Sequence, residues 1–223
     1  MQTATISERR VELVEKNRPQ QQRAIKTYEA ILAATGELLR EVGLERISTN
    51  IIAERAGVTV PALYRYFPNK YAVLNALGSR LLGARKAVFE RWQQDRLEGH
   101  GPYAMLESLS ELLLGVYRVT RDFPGGVELL HGMQAMAPLQ KVQQDNEWML
   151  ARNFAGIWAE LNRVQCTEEL VSKSRVAVAM GFASIQVALE DPSIVPEVAV
   201  QEGASALRAY LEHGMMKGAR EVN

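Results

Sequence analysis

Two short segments between residues 47 and 70 carry closely spaced helix-start and helix-stop signals, and their spacing constrains the fold more than any other feature of the chain. Ser48 and Thr59 stand at N-cap positions, and Gly57 supplies the turn between the two segments. Pro61 falls in the first turn of the second segment, where its missing N–H costs little, and Pro68 ends that segment. The pattern predicts two short helices joined by a tight turn.

A longer helix is predicted on the N-terminal side of this pair. Apolar residues recur at helical spacing from Tyr28 to Val42, and Gly43 then supplies a C-terminal stop. Such a helix can cover two short ones, and the three together are typical of a helix-turn-helix, whose second short helix enters the DNA major groove. Asn69 is expected to cap the next helix, which begins at Lys70.

The chain beyond Lys70 is expected to be helical throughout. Breaks rich in Gly and Pro separate segments that keep a helical period, and no alternating β pattern persists. The predicted helices are 71–96, 103–121, 127–137, 139–164, 168–190 and 197–217. The fold class is therefore all-α, with an N-terminal three-helix helix-turn-helix domain followed by a second helical domain.

Charge and cysteine content narrow the function classes. The 26 basic and 26 acidic residues leave no net charge for a protein that coats nucleic acid or membranes, although the first 70 residues carry 11 basic against 8 acidic ones. The single Cys166 cannot form an intramolecular disulfide, no apolar run follows Arg9 and Arg10 as in an export signal, and no apolar segment is long enough to span a bilayer. We expect a cytoplasmic location.

No catalytic or cofactor motif is recognisable. The sequence has no nucleophile, base and orienting group at a known spacing, and no Gly-rich phosphate loop after a strand. Three scattered histidines, His100, His131 and His213, make no metal motif. We therefore expect no enzymatic activity, no cofactor and no metal site.

The predicted second short helix has an inward and an outward face. Leu63 and Phe67 share a face that packs inward, whereas Val60 and Tyr64 share the face left for DNA. An exposed Val60 followed by Pro61 suits contact with thymine methyl groups. This face is the predicted recognition surface.

Polar residues around this face indicate the same partner. The hydroxyls of Tyr64 and Tyr66 can donate to phosphates, and Asn50, beside Thr49, can pair bidentately with adenine. Lys70 places a cation at a helix start, where the positive end of the helix macrodipole repels it. A DNA phosphate bound there would offset this repulsion. An alternative explanation needs no DNA. Tyr64 and Tyr66 can simply pack in a small helical bundle, and Lys70 can be an ordinary surface lysine.

A family resemblance rests on these residues. The stretches LLREVGL at 38–44, IAERAGV at 52–58 and LYRYFPNK at 63–70 closely resemble the TetR family of bacterial transcriptional regulators, over about residues 23–82. The resemblance implies a family domain at about 25–85, with its motif at 48–67, in a homodimer that binds successive major grooves of a palindrome. The DNA-binding residues it implies are Thr49, Asn50, Thr59, Val60, Pro61, Tyr64, Tyr66 and Lys70. Val60 departs from the family pattern, because many members carry a longer polar side chain at this position.

The resemblance also implies how the chain is divided. We expect a flexible basic arm over 1–22, the helix-turn-helix domain over 23–70, and a helical domain over 71–223 that binds a small effector and dimerises. Small residues in 168–190 and 197–217 fit a dimer interface, but burial inside one subunit explains them equally well. The function implied is a repressor that the ligand releases from its operator. The alternative is a helical ligand-binding or scaffold protein that has lost operator recognition.

Bulky side chains in the middle helices are the candidates for ligand binding. They can line a mostly apolar pocket, or each can belong to the core. Few charges fall among them, which favours a small, largely hydrophobic ligand. The candidates are Trp92, Tyr117, His131, Met133, Trp148, Phe154 and Trp158.

Overall fold

A computed structural model describes residues 11–97 and 102–216 of the chain. These residues form α-helices and connecting segments, without a β-strand among them, which confirms the all-α class. The helices belong to two compact units. The first comprises the described residues up to Arg80 together with Pro124–Val142, and the second comprises Leu81–Phe123 and the described residues from Gln143 onward.

The first unit contains the predicted helix-turn-helix. Its helices are α1 (Gln22–Val42), α2 (Thr49–Arg55) and α3 (Val60–Tyr64), followed by the first part of α4 (Lys70–Leu97). The Ser48 hydroxyl accepts a hydrogen bond from the Ile51 amide at 3.4 Å, and the Thr59 hydroxyl accepts one from the Ala62 amide at 3.3 Å. Both predicted N-caps are therefore confirmed.

The turn and the start of α4 also follow the sequence pattern. Gly57 has a φ of +65°, a left-handed conformation in which a side chain would be strained. The Asn69 carboxamide oxygen accepts a hydrogen bond from the Ala72 amide at 3.0 Å, as predicted for the residue that caps α4. The tight turn between α2 and α3 therefore rests on a glycine, and the start of α4 on an asparagine cap.

A distant segment completes the first unit. Helix α7 (Gly126–Ala135) packs against α1, and α8 (Ala137–Asn162) begins in this unit. A Cβ atom on Gly36 would lie 2.7 Å from the Pro124 carbonyl oxygen, so a glycine is required where α1 meets this segment. The sequence-based boundary at Lys70 differs from this division, because it assigns residues 124–142 to the second domain.

The second unit contains the remaining helices. These are α5 (Pro102–Glu107), α6 (Leu109–Asp122), α9 (Glu168–Glu190) and α10 (Pro196–Met216), with the later parts of α4 and α8. Helices α9 and α10 pack against each other, and α6 packs against both. No helix within the described residues is long and apolar enough to cross a membrane.

Two predicted helix boundaries in this part of the chain were wrong. The predicted helix at 103–121 is interrupted at Ser108, whose hydroxyl and carbonyl oxygens accept hydrogen bonds from the Trp92 indole at 3.0 and 3.2 Å. Pro138 was expected to separate two helices, but it lies in the first turn of α8. A proline is tolerated there because the amide it lacks would have no intrahelical partner.

Residues 11–21 form no regular secondary structure, and hydrogen bonds join this segment to the first unit. The flexible basic arm predicted over 1–22 also includes residues outside the described ones, and it stays a prediction. The Lys16 amide donates to the Tyr66 carbonyl at 2.8 Å, and the Asn17 carboxamide donates to the Arg65 carbonyl at 3.2 Å. The side chain of Asn69 donates to the carbonyl of Glu12. The predicted basic residues Arg9 and Arg10 lie outside the described residues.

Candidate nucleic-acid interface and ligand cavity

A hydrogen bond joins the two short helices at their exposed side. The Thr49 hydroxyl, in the first turn of α2, lies 3.1 Å from the Tyr64 hydroxyl at the end of α3. Tyr64 is 41% exposed, although its ring is large and apolar. The bond fixes the Tyr64 phenol beside the N-terminus of α2, where the free backbone amides carry partial positive charge.

Lys70 brings a cation to the same place. Its ammonium donates to the Ile47 carbonyl oxygen at 3.1 Å and lies 5.6 Å from the centre of the Tyr71 ring. Ile47 immediately precedes the residue that caps α2. One carbonyl uses one of the three donors of an ammonium group, so Lys70 keeps donors for another acceptor.

The other predicted DNA-binding residues lie around these three. Asn50 and Pro61 are exposed, and Val60 is half-buried. Thr59 is exposed, but its hydroxyl oxygen already accepts the capping hydrogen bond of α3. Tyr66 differs from Tyr64, because its half-buried ring packs edge-on against Tyr28 of α1, with 6.1 Å between the ring centres.

Both residues predicted to pack inward from the second short helix are buried, although α3 ends at Tyr64, before Phe67 and the predicted end at Pro68. Leu63 and Phe67 have no exposed surface, and the Phe67 ring stacks on that of Tyr28 at 5.2 Å. A bidentate pair between Arg55 and Glu41, with nitrogen–oxygen distances of 2.8 and 2.5 Å, fastens α2 to α1. The guanidinium holds the pKa of the Glu41 carboxyl below its usual range, mainly through its hydrogen bonds. This pair was not predicted, since its partners are far apart in sequence.

A cavity of about 90 Å³ lies inside the second unit. Side chains of α4, α6, α8, α9 and α10 line it, and most of them are apolar. Leu109 and Leu113 come from α6, Phe154 from α8, and Phe182 and Ile185 from α9. The polar side chains in the wall are those of Arg85, Lys86 and Asn146.

Of the seven residues predicted to bind a ligand, Phe154 lines this cavity and the other six do not. Trp92, Tyr117 and Trp158 are buried in the apolar core of the second unit. Trp148 is 42% exposed. The pattern indicated bulky residues on the middle helices, but a core and a cavity wall use the same residue types at the same spacing.

His131 and Met133 lie in the other unit. Both belong to α7, which is part of the first unit. The Met133 side chain is fully buried, and its sulfur would meet a Cβ atom placed on Gly78 of α4. Met133 therefore packs within the core of the first unit, and His131 is exposed on the same helix.

Arg85, one of the two charged residues in the cavity wall, was not predicted from the sequence. Arg85 lies on α4 among other basic residues, which is typical of a solvated helix face. In the structure it is 9% exposed, and its guanidinium carbon lies 4.4 Å from the centre of the Phe182 ring. Burial lowers the pKa of Arg85 to about 10, although the charge of Glu147 acts in the opposite direction. No cluster of three or more His, Cys, Asp or Glu suited to a metal ion occurs among the described residues.

Comparison with known proteins gives two matching family models. The model described as "Bacterial regulatory proteins, tetR family" matches residues 31–77, which include α2, α3 and the start of α4. The model described as "Tetracyclin repressor-like, C-terminal domain" matches residues 104–215. The chain belongs to the TetR family. Members of this family are DNA-binding transcription factors, in agreement with the prediction that the chain is not an enzyme.

Similar proteins match over limited parts of their length. The tetracycline repressor protein class C of Escherichia coli is 48% identical over 54 residues, which cover 24% of this chain and 25% of that repressor. The nucleoid occlusion factor SlmA of Marinobacter nauticus is 41% identical over 86 residues, which cover 39% of this chain and 43% of that protein. The chain thus matches about a quarter of the repressor and less than half of the occlusion factor.

Solved structures with the same fold match over most of their length. A TetR-family transcriptional regulator from Streptomyces coelicolor has a TM-score of 0.59 and 25% identity, over 86% of this chain and 98% of that one. NalD, the secondary repressor of the MexAB-OprM multidrug efflux pump in Pseudomonas aeruginosa, has a TM-score of 0.58 and 22% identity, over 85% of this chain and 98% of that one. The likeness to NalD concerns the fold.

Proposed function

We propose that this chain is a sequence-specific DNA-binding transcriptional regulator. The observation that carries the proposal is the arrangement of Thr49, Tyr64 and Lys70 around the N-terminus of α2. Hydroxyl groups, an ammonium group and helix-terminal amides together form a surface of donors that suits phosphate oxygens. Because these groups already hold one another in place, little side-chain entropy is lost when DNA binds.

The neighbouring residues supply the proposed base contacts. Asn50 follows Thr49 in the first turn of α2, and its exposed carboxamide suits bidentate pairing with adenine. Val60 and Pro61 start α3 and offer apolar surface to thymine methyl groups. Thr59 and Tyr66 stay in the proposed interface, Thr59 at the start of α3 and Tyr66 at the edge nearest α1.

We propose further that the regulator is a homodimer that binds a palindrome, with an interface formed by residues 168–190 and 197–217. One small reading domain gives too little affinity and specificity to select a single operator. Helix α9 carries a stripe of small and apolar residues at helical spacing, and Val176, Ala183 and Val187 on it are exposed. On α10, Val198 is 52% exposed. Burial of such surface against a second copy would stabilise the pair.

The cavity of the second unit supports a small, largely hydrophobic effector. Its wall is mostly apolar, as expected for a site that binds an organic molecule by burial of surface. The class C protein is named as a repressor, and this favours repression relieved by the effector over activation. An operator-binding protein acts on the chromosome, so the proposed location is the cytoplasm.

Selection of tight-binding duplexes from a random pool tests the proposal without knowledge of the genome or the effector. Purified full-length protein should enrich a palindrome whose half-sites are centred about one helical turn, roughly 34–36 Å, apart. The variant Thr49→Ala/Tyr64→Phe should enrich the same palindrome less strongly, because it removes hydroxyl groups assigned to phosphate contacts.

Two results would contradict the proposal. Enrichment of a single half-site would contradict the dimer, and failure to enrich any sequence would contradict operator recognition. The selection is repeated with protein that has been denatured and refolded, since a bound effector retained through purification would also prevent enrichment. Failure of both preparations would favour the alternative, a helical ligand-binding or scaffold protein that has lost operator recognition.

A further inference from the structure

A cation is buried in the wall of the cavity without a hydrogen-bond acceptor for its inner nitrogen. The Nε atom of Arg85 is fully buried and has no partner among the described residues. Its guanidinium group stacks over the Phe182 ring at 4.4 Å, a contact with the face of the group that leaves the Nε–H without an acceptor. A buried donor that lacks an acceptor is costly, and a buried charge more so. The site is therefore incomplete as it stands.

The nearby acid, Glu147, does not supply the acceptor that Arg85 lacks. The carboxylate whose charge acts on Arg85 is that of Glu147. However, Glu147 forms a close ion pair with Arg175 through one oxygen and accepts a hydrogen bond from the Gln143 side chain at 3.1 Å through the other. One negative charge is thus shared between two guanidinium groups. The cluster of Arg85, Arg175 and Glu147 carries one positive charge in excess.

The second cation in the cavity wall is already neutralised. The ammonium of Lys86 lies 2.9 Å from the Glu90 carboxylate, one helical turn further along α4. Within the part of the chain that the structure describes, no acidic side chain lines the cavity. The excess charge therefore belongs to Arg85, which stays protonated at neutral pH because its pKa, although lowered by burial, is still about 10.

The rest of the wall determines what the ligand must look like. Apart from Arg85, Lys86 and Asn146, the lining is aliphatic or aromatic. A neutral apolar ligand would fill the space but leave the guanidinium unpaired, and an ammonium ligand would be repelled by it. A ligand with an apolar body and one anionic head satisfies both the wall and the charge. A carboxylate matches a guanidinium in shape, because two parallel N–H donors meet two oxygens.

We propose that the cavity binds an amphipathic organic monocarboxylate, with its head group paired to Arg85 and its hydrocarbon chain or ring among Leu109, Leu113 and Phe154. The inference names the class of the effector and so rests on the proposed function, although binding itself requires no DNA. It narrows the small, largely hydrophobic ligand favoured by the sequence to one that carries a carboxylate head group.

The cavity is small, so ligand binding requires its wall to move. Its volume of about 90 Å³ is smaller than that of a cavity of about 150 Å³ known to accept benzene. Helix side chains in the wall must therefore move outward when a ligand of more than a few atoms enters. A ligand that binds only to the expanded form shifts the protein toward that form, as an effector must.

The test compares each acid with its matched alcohol, and octanoate also with the matched amine. Purified full-length protein is titrated calorimetrically with octanoate, octanol and octylamine, and with phenylacetate and phenylethanol. At least one of the two acids should bind about tenfold or more tightly than its alcohol, as expected when a charge-assisted hydrogen bond is gained. Octylamine should not bind measurably.

Variants assign the preference to Arg85. Arg85→Met keeps an unbranched side chain that reaches about as far as the Nε position and removes the charge, so it should abolish the preference for the acid over the alcohol. Arg85→Lys should keep part of it, because an ammonium attracts a carboxylate without the bidentate geometry. Lys173→Met is the matched control, since Lys173 pairs with Glu169 at 2.7 Å on α9 and does not line the cavity. It should bind as the wild type does.

Several results would overturn the inference. These are equal binding of acid and alcohol by the wild type, an undiminished acid preference in Arg85→Met, and failure of both acids to bind. If Arg85→Met does not fold, the affinities of the wild type and of Arg85→Lys for acid and alcohol still test the inference. The preference for the acid should be smaller in Arg85→Lys than in the wild type.

Operator release is measured separately, by fluorescence anisotropy of the selected duplex. An acid that binds through Arg85 but leaves the DNA complex intact would contradict the effector role in the proposed function and leave the ligand class standing. A protein that holds its operator but binds neither acid would contradict the ligand class alone.

Discussion

The polar groups of the interface on the first unit have hydrogen-bond partners within the protein, whereas the buried Nε of Arg85 in the cavity of the second unit has none among the described residues. Thr49, Tyr64 and Lys70 lie at the surface, and each already has a hydrogen-bond partner within the protein. Arg85 is buried, and its Nε has none among the described residues. A surface for a polyanion can be preassembled because water solvates the donors that remain. An apolar cavity wall offers few acceptors, so the Nε of Arg85 is left without a partner among the described residues.

The largest expected change in the free energy of unfolding comes from Phe67, the buried residue beneath the DNA-binding surface. Phe67→Ala should lower the free energy of unfolding by about 3–5 kcal/mol, because it leaves a void under Tyr28. Urea denaturation followed by circular dichroism measures the change. Tyr64→Ala is the control from the same segment, and its cost should be far smaller because Tyr64 is 41% exposed. Equal costs would contradict the division of α3 into an inward and an outward face.

The next effect has the opposite sign and lies in the cavity. Arg85→Met should raise the free energy of unfolding by about 1 kcal/mol or more, because it replaces a buried charge with an apolar side chain. The same urea experiment measures it, with Lys173→Met as the control that should change little. A loss of stability in Arg85→Met would show that the guanidinium is satisfied within the protein, and the contrast between the two regions would then fail.

The interface was largely predictable from sequence because its determinants are local. Ser48 and Thr59 each cap a helix through an amide three residues away, and Gly57 forms a turn that depends on its own φ angle. The inward face of α3 follows from helical spacing, which separates Leu63 and Phe67 from Tyr64. Such signals need no knowledge of the rest of the fold.

The cavity was not predictable in the same way, because distant segments form it. Arg85 becomes buried only when α9 places Phe182 against it. Its own sequence surroundings on α4 are those of an exposed face. Of the aromatic candidates, Trp92, Tyr117 and Trp158 are buried in the core, Trp148 is exposed, and Phe154 lines the cavity. Spacing along one helix shows which residues share a face but not what covers that face.

Tertiary contacts also decide the edges of the first unit. Asn75 donates to the Leu13 carbonyl at 3.1 Å and helps to hold the segment that was expected to be a flexible arm. An asparagine within a helix carries no local sign of such a partner. The same holds for Gly36, which admits Pro124 from a segment far along the chain.

Base recognition offers a third way to sharpen the contrast. Asn50→Ala should weaken discrimination at one base pair in each half-site by about 1–3 kcal/mol, the range for a bidentate contact. Binding to single-base variants of the selected palindrome, measured by anisotropy, gives the value for each position. Unaltered discrimination at every position would remove Asn50 from the base contacts. Effector binding should not change in this variant.

Phosphate contacts should give a smaller and more uniform effect. Lys70→Ala should weaken binding to all duplexes and reduce the slope of log affinity against log salt concentration by about 1 for each phosphate that no longer meets a lysine. Tyr64→Phe should weaken binding without a change in slope, because it removes no charge. Lys173→Ala is the control for removal of a lysine elsewhere. An unchanged slope in Lys70→Ala would mean that its ammonium serves only the Ile47 carbonyl.

The smallest expected effect concerns the surface pair that fastens α2 to α1. Hydrogen bonds from Arg55 lower the pKa of Glu41 in the folded protein, so the pair stabilises the fold above the ordinary carboxyl pKa of 4.5 and is lost as the pH falls through the lowered value. Glu41→Gln should lower stability slightly at neutral pH, by a small amount because the pair is exposed, and this loss should disappear as the pH falls through the lowered pKa. Urea midpoints from about pH 7 to about pH 3 measure it. Glu45→Gln, which alters an exposed residue just beyond α1, is the control; identical pH profiles for the two variants would show that the Arg55 pair contributes nothing to holding the recognition surface.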